Sequence, residues 1–369
     1  SVGVASLASH REAAAATAAT AATAATAAAP GANSMVKVDV AACADVFHQE
    51  IKKGVQECIS SGWGRPKLVG FLANNDSGAA MYARWTGKAC ERDGVDFELR
   101  HVERTKLEEA VVEANDDNSV HGIIVYYPVF GGPIDDYIRD VISIKKDVEG
   151  LNHRYRYSLY HNIRTLDNFG NRKCVLPCTP LAILKILEHL GAYDRAREVG
   201  NQLADKVAVV FNRSEVVGRP LAAMLANDGA TVYSIDVTGM LEYKKGRVHG
   251  TIKVNETALS QDEALRSADI VIAGVPVKSF SVDAAKLKPG CLALNFAPHS
   301  NFSEGVEDKC TFVPAIGKVT IAMLERNLIR LQTSWANDNT TTTGAALDSA
   351  GSSAEGSVHV GVRLVLEKR

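Results

Sequence analysis

Apolar positions along this chain fall into two alternating rhythms. Val40, Cys43, Phe47, Ile51, Val55 and Ile59 recur at three- and four-residue steps and predict an amphipathic helix ended by Gly62. Residues 68–74 (LVGFLAN) form an unbroken apolar run that suits a buried strand, and after a turn at 75–78 a second helix carries Tyr82, Trp85, Thr86 and Cys90. Residues 95–102 read as a strand, 107–114 as a helix, 122–129 (GIIVYYPV) as another buried strand and 134–142 as a helix, followed by the polar loop 145–152. In the second half, Thr179 and Pro180 predict the N-cap and first position of a helix running to Gly191. Residues 268–275 (ADIVIAGV) and 291–296 (CLALNF) are further buried strands, and 320–331 is a last helix. Alternation of this kind predicts parallel sheets covered by helices on both faces, and with them an α/β fold.

The most informative stretch is 206–237, KVAVVFNRSEVVGRPLAAMLANDGATVYSIDV. It reads as a βαβ unit: an apolar strand at 207–211, a turn in which Gly218 marks a close backbone approach, a helix beginning at Pro220 and ending at Asp228-Gly229, and a second strand closing on Asp236. A helix N-terminus there would face an anionic pyrophosphate with its free N–H groups and dipole. Asp236 lies 24 positions after Asn212, near the separation expected of a carboxylate that accepts hydrogen bonds from a ribose diol. Such a carboxylate repels a 2′-phosphate and so favours NAD over NADP. Periodicity alone is equally compatible with a plain structural βαβ unit, because Asn212, Ser214 and Gly218 do not make the G-x-G-x-x-G fingerprint.

The chain has 369 residues, 46% hydrophobic and 23% charged, enough for about two domains. A net charge of -2 provides no basic field for nucleic acid or anionic lipid. Seven scattered cysteines without a C-x-x-C or a neighbouring His pair argue against a metal site and for a reducing compartment. Residues 1–35 are an Ala/Thr-rich tract with Arg11 as its only basic residue, lacking the pattern of a secretory signal or a membrane span. They are expected to be a disordered extension, with Met35 a plausible native start. Residues 337–369 are expected to be a low-complexity tail.

Four motifs, in order, resemble the methylenetetrahydrofolate dehydrogenase/cyclohydrolase family: the Tyr82 helix after the 74–78 turn, KDVEG at 146–150, PCTP at 177–180 and NRSEVVGRP at 212–220. The segment 313–324, VPAIGKVTIAML, is similar to a shortened form of the family's glycine-rich stretch before its last helix. The resemblance implies two α/β domains with a folate cleft between them. These are a folate domain at 36–180, a Rossmann-like NAD domain at 181–317 and a final helix at 318–336 returning to the first domain. It also implies hydride transfer from 5,10-methylenetetrahydrofolate to NAD, a cytoplasmic homodimer, no nucleic acid and no membrane. Tyr82 would pack on the folate rings and Glu149 would hold the pterin, with Pro314 and Thr320 at the substrate edge. Asn212, Arg213, Ser214, Val217, Gly218, Arg219, Pro220, Asp236, Val275, Pro276 and Asn295 would line the cofactor path.

Two positions separate the branches of this family. Where bifunctional members carry the cyclohydrolase lysine, four residues after the tyrosine, this chain has Thr86. The glutamine partner of that lysine is matched by Tyr126. Removing hydride from the carbon between N5 and N10 is driven by the nitrogen lone pairs and requires no general base, whereas hydrolysis of the resulting cation needs a tuned proton-transfer group. Lys88 sits six positions after Tyr82, on another helix face, and does not replace it. The resemblance is therefore to the monofunctional NAD-dependent branch described from fungi. A bifunctional enzyme using another lysine, and a binding-only protein on the same fold, are the competing readings. The former would hydrolyse methenyl-folate above its spontaneous rate, and the latter would bind NAD with no folate-dependent turnover.

Overall fold

The computed structural model describes residues 36–344, apart from 168, 169, 171 and 249. The expectations for 1–35 and for the tail beyond 344 lie outside the described residues.

The first sheet is short and parallel. β1 (Lys67–Leu72) lies between β2 (Asp96–His101) and β3 (Gly122–Val125), with Leu68 opposite both Phe97 and Gly122. Around it pack α1 (Ala41–Ser60), α2 (Ser77–Asp93), α3 (Leu107–Asp116) and α4 (Pro133–Val141), while α5 (His153–Tyr160) packs against the helix Gly218–Asn227 of the second domain. The α2 N-terminus is set by Asp76, whose carboxylate accepts the Ala79 N–H at 2.7 Å, and its end by Gly94 at φ 84°. This capping orients the helix that carries Tyr82. The apolar run expected to continue to residue 129 leaves the ladder after Val125. Asn74 donates to the carbonyls of Tyr126 and Pro128 at 2.7 and 2.8 Å, and Pro128 has no N–H to give a neighbour.

The second sheet contains β4 (Val207–Phe211), β5 (Thr231–Asp236), β6 (Gly239–Lys245), β7 (Ile252–Glu256), β8 (Ile270–Ala273), β9 (Leu292–Asn295) and β10 (Thr311–Val313). Its order is β10-β9-β8-β4-β5-β6-β7. It is not all parallel, as the alternation predicts: β6 and β7 are an antiparallel edge, joined to β5 through a two-residue turn in which Asp236 pairs with Gly239. Its helices are α6 (Cys178–His189), α7 (Gly218–Asn227), α8 (Gln261–Ser267) and the single turn α9 (Val306–Lys309). α6 begins at Cys178 with Pro177 as its N-cap, and α7 begins at Gly218, so neither Pro180 nor Pro220 is the first helical residue.

α10 (Gly317–Gly344) is longer than the apolar periodicity at 320–331 indicates, and it takes in 337–344, which were expected to begin the low-complexity tail. It crosses back onto the first domain. A Cβ at Gly54 of α1 would meet Ile329 at 2.7 Å, so a glycine allows the two helices their close approach. Gln332 donates to the carbonyls of Trp63 and Gly64, and Asn327 to those of Val148 and Leu176, at 2.9–3.1 Å. One apolar cluster runs from Val40 and Ile51 through Ile183 and Val210 to Leu328, so the two sheets share a core across α6 and α10.

Candidate active site

Between the domains lies a cleft of about 490 Å³ walled by Tyr82, Glu149, Cys178, Phe296, Ile316 and Thr320. A second hollow of about 320 Å³ shares Tyr82, Glu149, Leu151 and Val216 with it and reaches Asp76, Gly78, Tyr126 and Tyr127. The two form one path across the carboxyl ends of β1 and β3.

Asp147 builds the acidic corner of this path. Fully buried, it accepts the N–H groups of Glu149, Gly150 and Asn152 at 3.1, 2.9 and 2.8 Å, which folds 147–152 into a fixed turn. Of the two carboxylates in the motif, Asp147 is thus the turn residue and Glu149 the one presented to the cleft. Burial pushes the Glu149 carboxyl up to about 8, reinforced by Asp147 and opposed by Arg139. Burial likewise raises Asp147, to about 6. Lys146 is fully engaged elsewhere, donating to three carbonyls at the end of α3.

Tyr82 is half-buried, its ring edge-on to Tyr126 at 5.7 Å and 87°. Thr86 is fully buried one turn later, and its hydroxyl donates to the Tyr82 carbonyl at 3.0 Å. The Tyr126 phenol is buried beside Thr86, and its acidity is suppressed by that burial. Thr86 therefore supports the Tyr82 platform from within and does not face the cleft. Cys178 lines the cleft, but its thiol donates to the Val148 carbonyl at 3.3 Å and burial raises it well above its ordinary value. That environment makes it a poor nucleophile.

The dinucleotide side is organised by the loop after β4. Strand order reverses between β4 and β8, the switch point where ligands of open α/β sheets bind. Asn212 spans that crevice: its amide donates to the Gly274 carbonyl at 2.9 Å and its carbonyl accepts from the Ser214 N–H and hydroxyl. Ser214 in turn accepts from the Val217 N–H at 3.2 Å, at the head of α7. The close approach expected at Gly218 is to the chain itself, since a Cβ there would lie 2.0 Å from the Asn212 carbonyl oxygen. Asp236 is exposed at the start of the β5–β6 turn and accepts the Val237 N–H at 2.7 Å.

The structure assigns other tasks to three residues expected at the cofactor. Arg213 donates to Ser234, Thr238 and the Gly239 carbonyl, holding the turn that presents Asp236. Arg219 pairs with Glu215 at 3.1 Å and lines a separate hollow with Tyr160 and Tyr243. Asn295 is buried and saturated: its amide donates to the carbonyls of Ala297, His299 and Pro314, and its carbonyl accepts the Asn301 N–H. It shapes the cleft-lining loop 296–298 and ties down Pro314, which is itself not in the lining. Asn301 bonds both backbone groups of Val275, fixing the mouth of the crevice next to the exposed Pro276. Leu151, Thr179, Val216, Phe296 and Ala315 also line the cleft, none of them expected there as a ligand contact. Thr179 does so from the first turn of α6, and the other four lie in loops brought together by the packing of two domains.

Two α/β domains, with a switch-point crevice in the second opening onto a cleft against the first, define a dinucleotide-binding two-domain enzyme. The tetrahydrofolate dehydrogenase/cyclohydrolase catalytic-domain model matches residues 38–149, and the corresponding NAD(P)-binding-domain model matches 177–335. This chain is 50% identical over 300 residues to the NAD(+) methylenetetrahydrofolate dehydrogenase of Dictyostelium discoideum, covering 81% of this chain and 95% of that one. It is 47% identical over 300 residues to the Saccharomyces cerevisiae enzyme of the same name, covering 78% and 93%. The solved structure of the NAD-dependent enzyme from Saccharomyces cerevisiae superposes with a TM-score of 0.79 at 45% identity, over 82% of this chain and 99% of that one. The chain belongs to the tetrahydrofolate dehydrogenase/cyclohydrolase family.

Proposed function

We propose that this chain oxidises 5,10-methylenetetrahydrofolate to 5,10-methenyltetrahydrofolate with NAD as acceptor and does not hydrolyse the product. The observation that carries the second half is Thr86. On the helix face one turn from Tyr82 stands a buried hydroxyl bonded to its own backbone and backed by Tyr126, not an amine able to move protons.

The residues present fit a dinucleotide. Asn212 and Ser214 hold the 212–218 loop against the head of α7, and glycine at 218 lets that helix start close to the strand end. Asp236 offers a carboxylate to a ribose diol and disfavours a 2′-phosphate. The bound dinucleotide supplies the hydride acceptor; the protein supplies position. Tyr82 provides an aromatic face for the folate rings, and Glu149, on its fixed turn, hydrogen-bonds the pterin edge. Phe296 and Ile316 narrow the cleft and keep water from the reacting carbon. The reaction draws its push from the folate nitrogens, so the chain needs no base, and neither Tyr82 nor Cys178 is poised as one.

We place the enzyme in the cytosol, supported by seven cysteines that are all free thiols, and expect a homodimer as the family resemblance implies. None of the helices among the described residues is long and apolar enough to cross a membrane. The test of function is the initial rate of NADH formation with methylenetetrahydrofolate, followed by methenyl-folate decay with and without the protein. Folate-dependent NADH formation with unaccelerated decay supports the proposal. Accelerated decay would make the enzyme bifunctional, and absent turnover would make it a binding protein.

A further inference from the structure

On a different face of α10 from the one that carries Thr320 into the cleft, a second cavity of about 370 Å³ opens between that helix, α1 and the segment leading to α6. Its polar lining is unbalanced. Arg326, Arg330 and Lys173 face it together with one carboxylate, Glu50, and that carboxylate pairs with Arg326 at 2.8 Å. Neither Arg330 nor Lys173 makes an ion pair or a side-chain hydrogen bond with a described residue. Arg330 is half-buried, and its guanidinium is depressed first by that burial and then by Arg326. The Glu50 carboxylate, already paired with Arg326, opposes this only in part, and the remaining close neighbours, Tyr155 and Cys174, are uncharged. A guanidinium withdrawn from water without an ion-pair partner of its own is costly, and an anion with several oxygens removes the cost by accepting its forked N–H groups. The hydroxyl of Ser334 adds a donor, and Ile51 and Ile329 an apolar floor.

We propose that this cavity binds a phosphorylated small molecule, its phosphate held by Arg330, Lys173 and Ser334 and its organic part lying over Ile51 and Ile329. A lone phosphate would leave most of about 370 Å³ unfilled. The site is separate from the dinucleotide crevice and stands or falls independently of the dehydrogenase reading. It sits ten residues along α10 from Thr320, roughly 15 Å at the helical rise, so its occupant braces the helix that walls the cleft.

Inorganic pyrophosphate is the probe, added to the full-length protein in saturating NAD so that the dinucleotide crevice is already filled. Melting temperature is read against sodium chloride of equal ionic strength and against citrate. The expected result is a rise of roughly 4 °C or more at pyrophosphate far above its Kd. The rise should be absent in Lys173→Gln and Arg330→Gln and retained in Arg213→Gln. Lys173 is exposed, so its variant reports even where Arg330→Gln folds poorly. No shift beyond chloride, an equal shift with citrate, or a shift that survives in Lys173→Gln would overturn the proposal.

Discussion

Replacing Gly218 with alanine isolates the geometry on which the nucleotide crevice depends. The added Cβ would stand 2.0 Å from the Asn212 carbonyl oxygen, 2.4 Å from its carbon and 2.7 Å from the side-chain oxygen. These neighbours are mostly backbone, and reaching ordinary contact at 3.4 Å requires about 1.4 Å of relative movement between α7 and the loop. Overpacking of this kind costs about 1–3 kcal/mol, or roughly 1–5 °C in Tm for a chain of this size. The loop that moves carries the bonds from Asn212 to Gly274 and from Ser214 to the head of α7, so NAD is misplaced by about an ångström. That is expected to lower kcat/KM for NAD by roughly 10- to 100-fold. The KM for methylenetetrahydrofolate, whose proposed contacts Tyr82 and Glu149 lie in the first domain, should change far less. Gly317→Ala is the stability control, because nothing lies within 4 Å of a Cβ there and Tm should hold or rise. A Gly218→Ala enzyme with parental Tm and parental KM for NAD would refute this reasoning.

The same logic gives three further expectations. Asp147→Ala leaves three backbone N–H groups without their acceptor, about 1–3 kcal/mol for each that stays buried, and frees Glu149. Folate KM should rise well beyond NAD KM, and equal effects on both would contradict the turn's assigned role. Glu325 is buried among His48, Cys90, Arg92 and Asp93, and burial first, then Asp93, pushes its carboxyl up to about 9. Between its ordinary value of 4.5 and about 9 the folded chain keeps a proton that the unfolded chain releases, so stability falls as pH rises through that window. Glu325→Gln should therefore be more stable than the parent in denaturant melts at pH 8, by a margin that shrinks towards pH 5; a margin independent of pH would show the linkage to be wrong. Thr86→Lys places an amine in a fully buried site against Tyr126 with no glutamine partner. It should lose stability without gaining catalysed methenyl-folate hydrolysis, and efficient hydrolysis by this single variant would overturn the proposed coupling.

The βαβ unit was legible because its signals are local: an apolar run, a glycine at an obligatory close approach, and an acid at the next strand's end. Tyr82 and Glu149 came from the family motifs, and the structure explains the division between Glu149 and Asp147 by three backbone bonds that no spacing rule reveals. The β6–β7 edge went unread because MLEYKK and IKVNE are short, polar and half-exposed, with too little apolar contrast to mark a strand. Arg213 was read as ligand-facing from its place at the mouth of the phosphate loop, and Asn295 from its place where cofactor and substrate edges should meet. Arg213 instead satisfies carbonyls flanking the β5–β6 turn, and Asn295 those of its own following loop and of Pro314, a demand visible only once those loops are placed. The lining loop 296–298 and Val216 escaped for the same reason.

Asp236, held out by the Arg213-braced turn, is the residue proposed to make this an NAD enzyme. The most direct test compares kcat/KM for NAD and NADP in the parent and in Asp236→Ala, with methylenetetrahydrofolate saturating. A strong preference for NAD is predicted in the parent. It should collapse in the variant through loss of NAD efficiency and a gain with NADP, because the Arg213 guanidinium stays at the same turn without the opposing carboxylate. Equal use of both dinucleotides by the parent, or a preference untouched by removing the carboxylate, would contradict the claim.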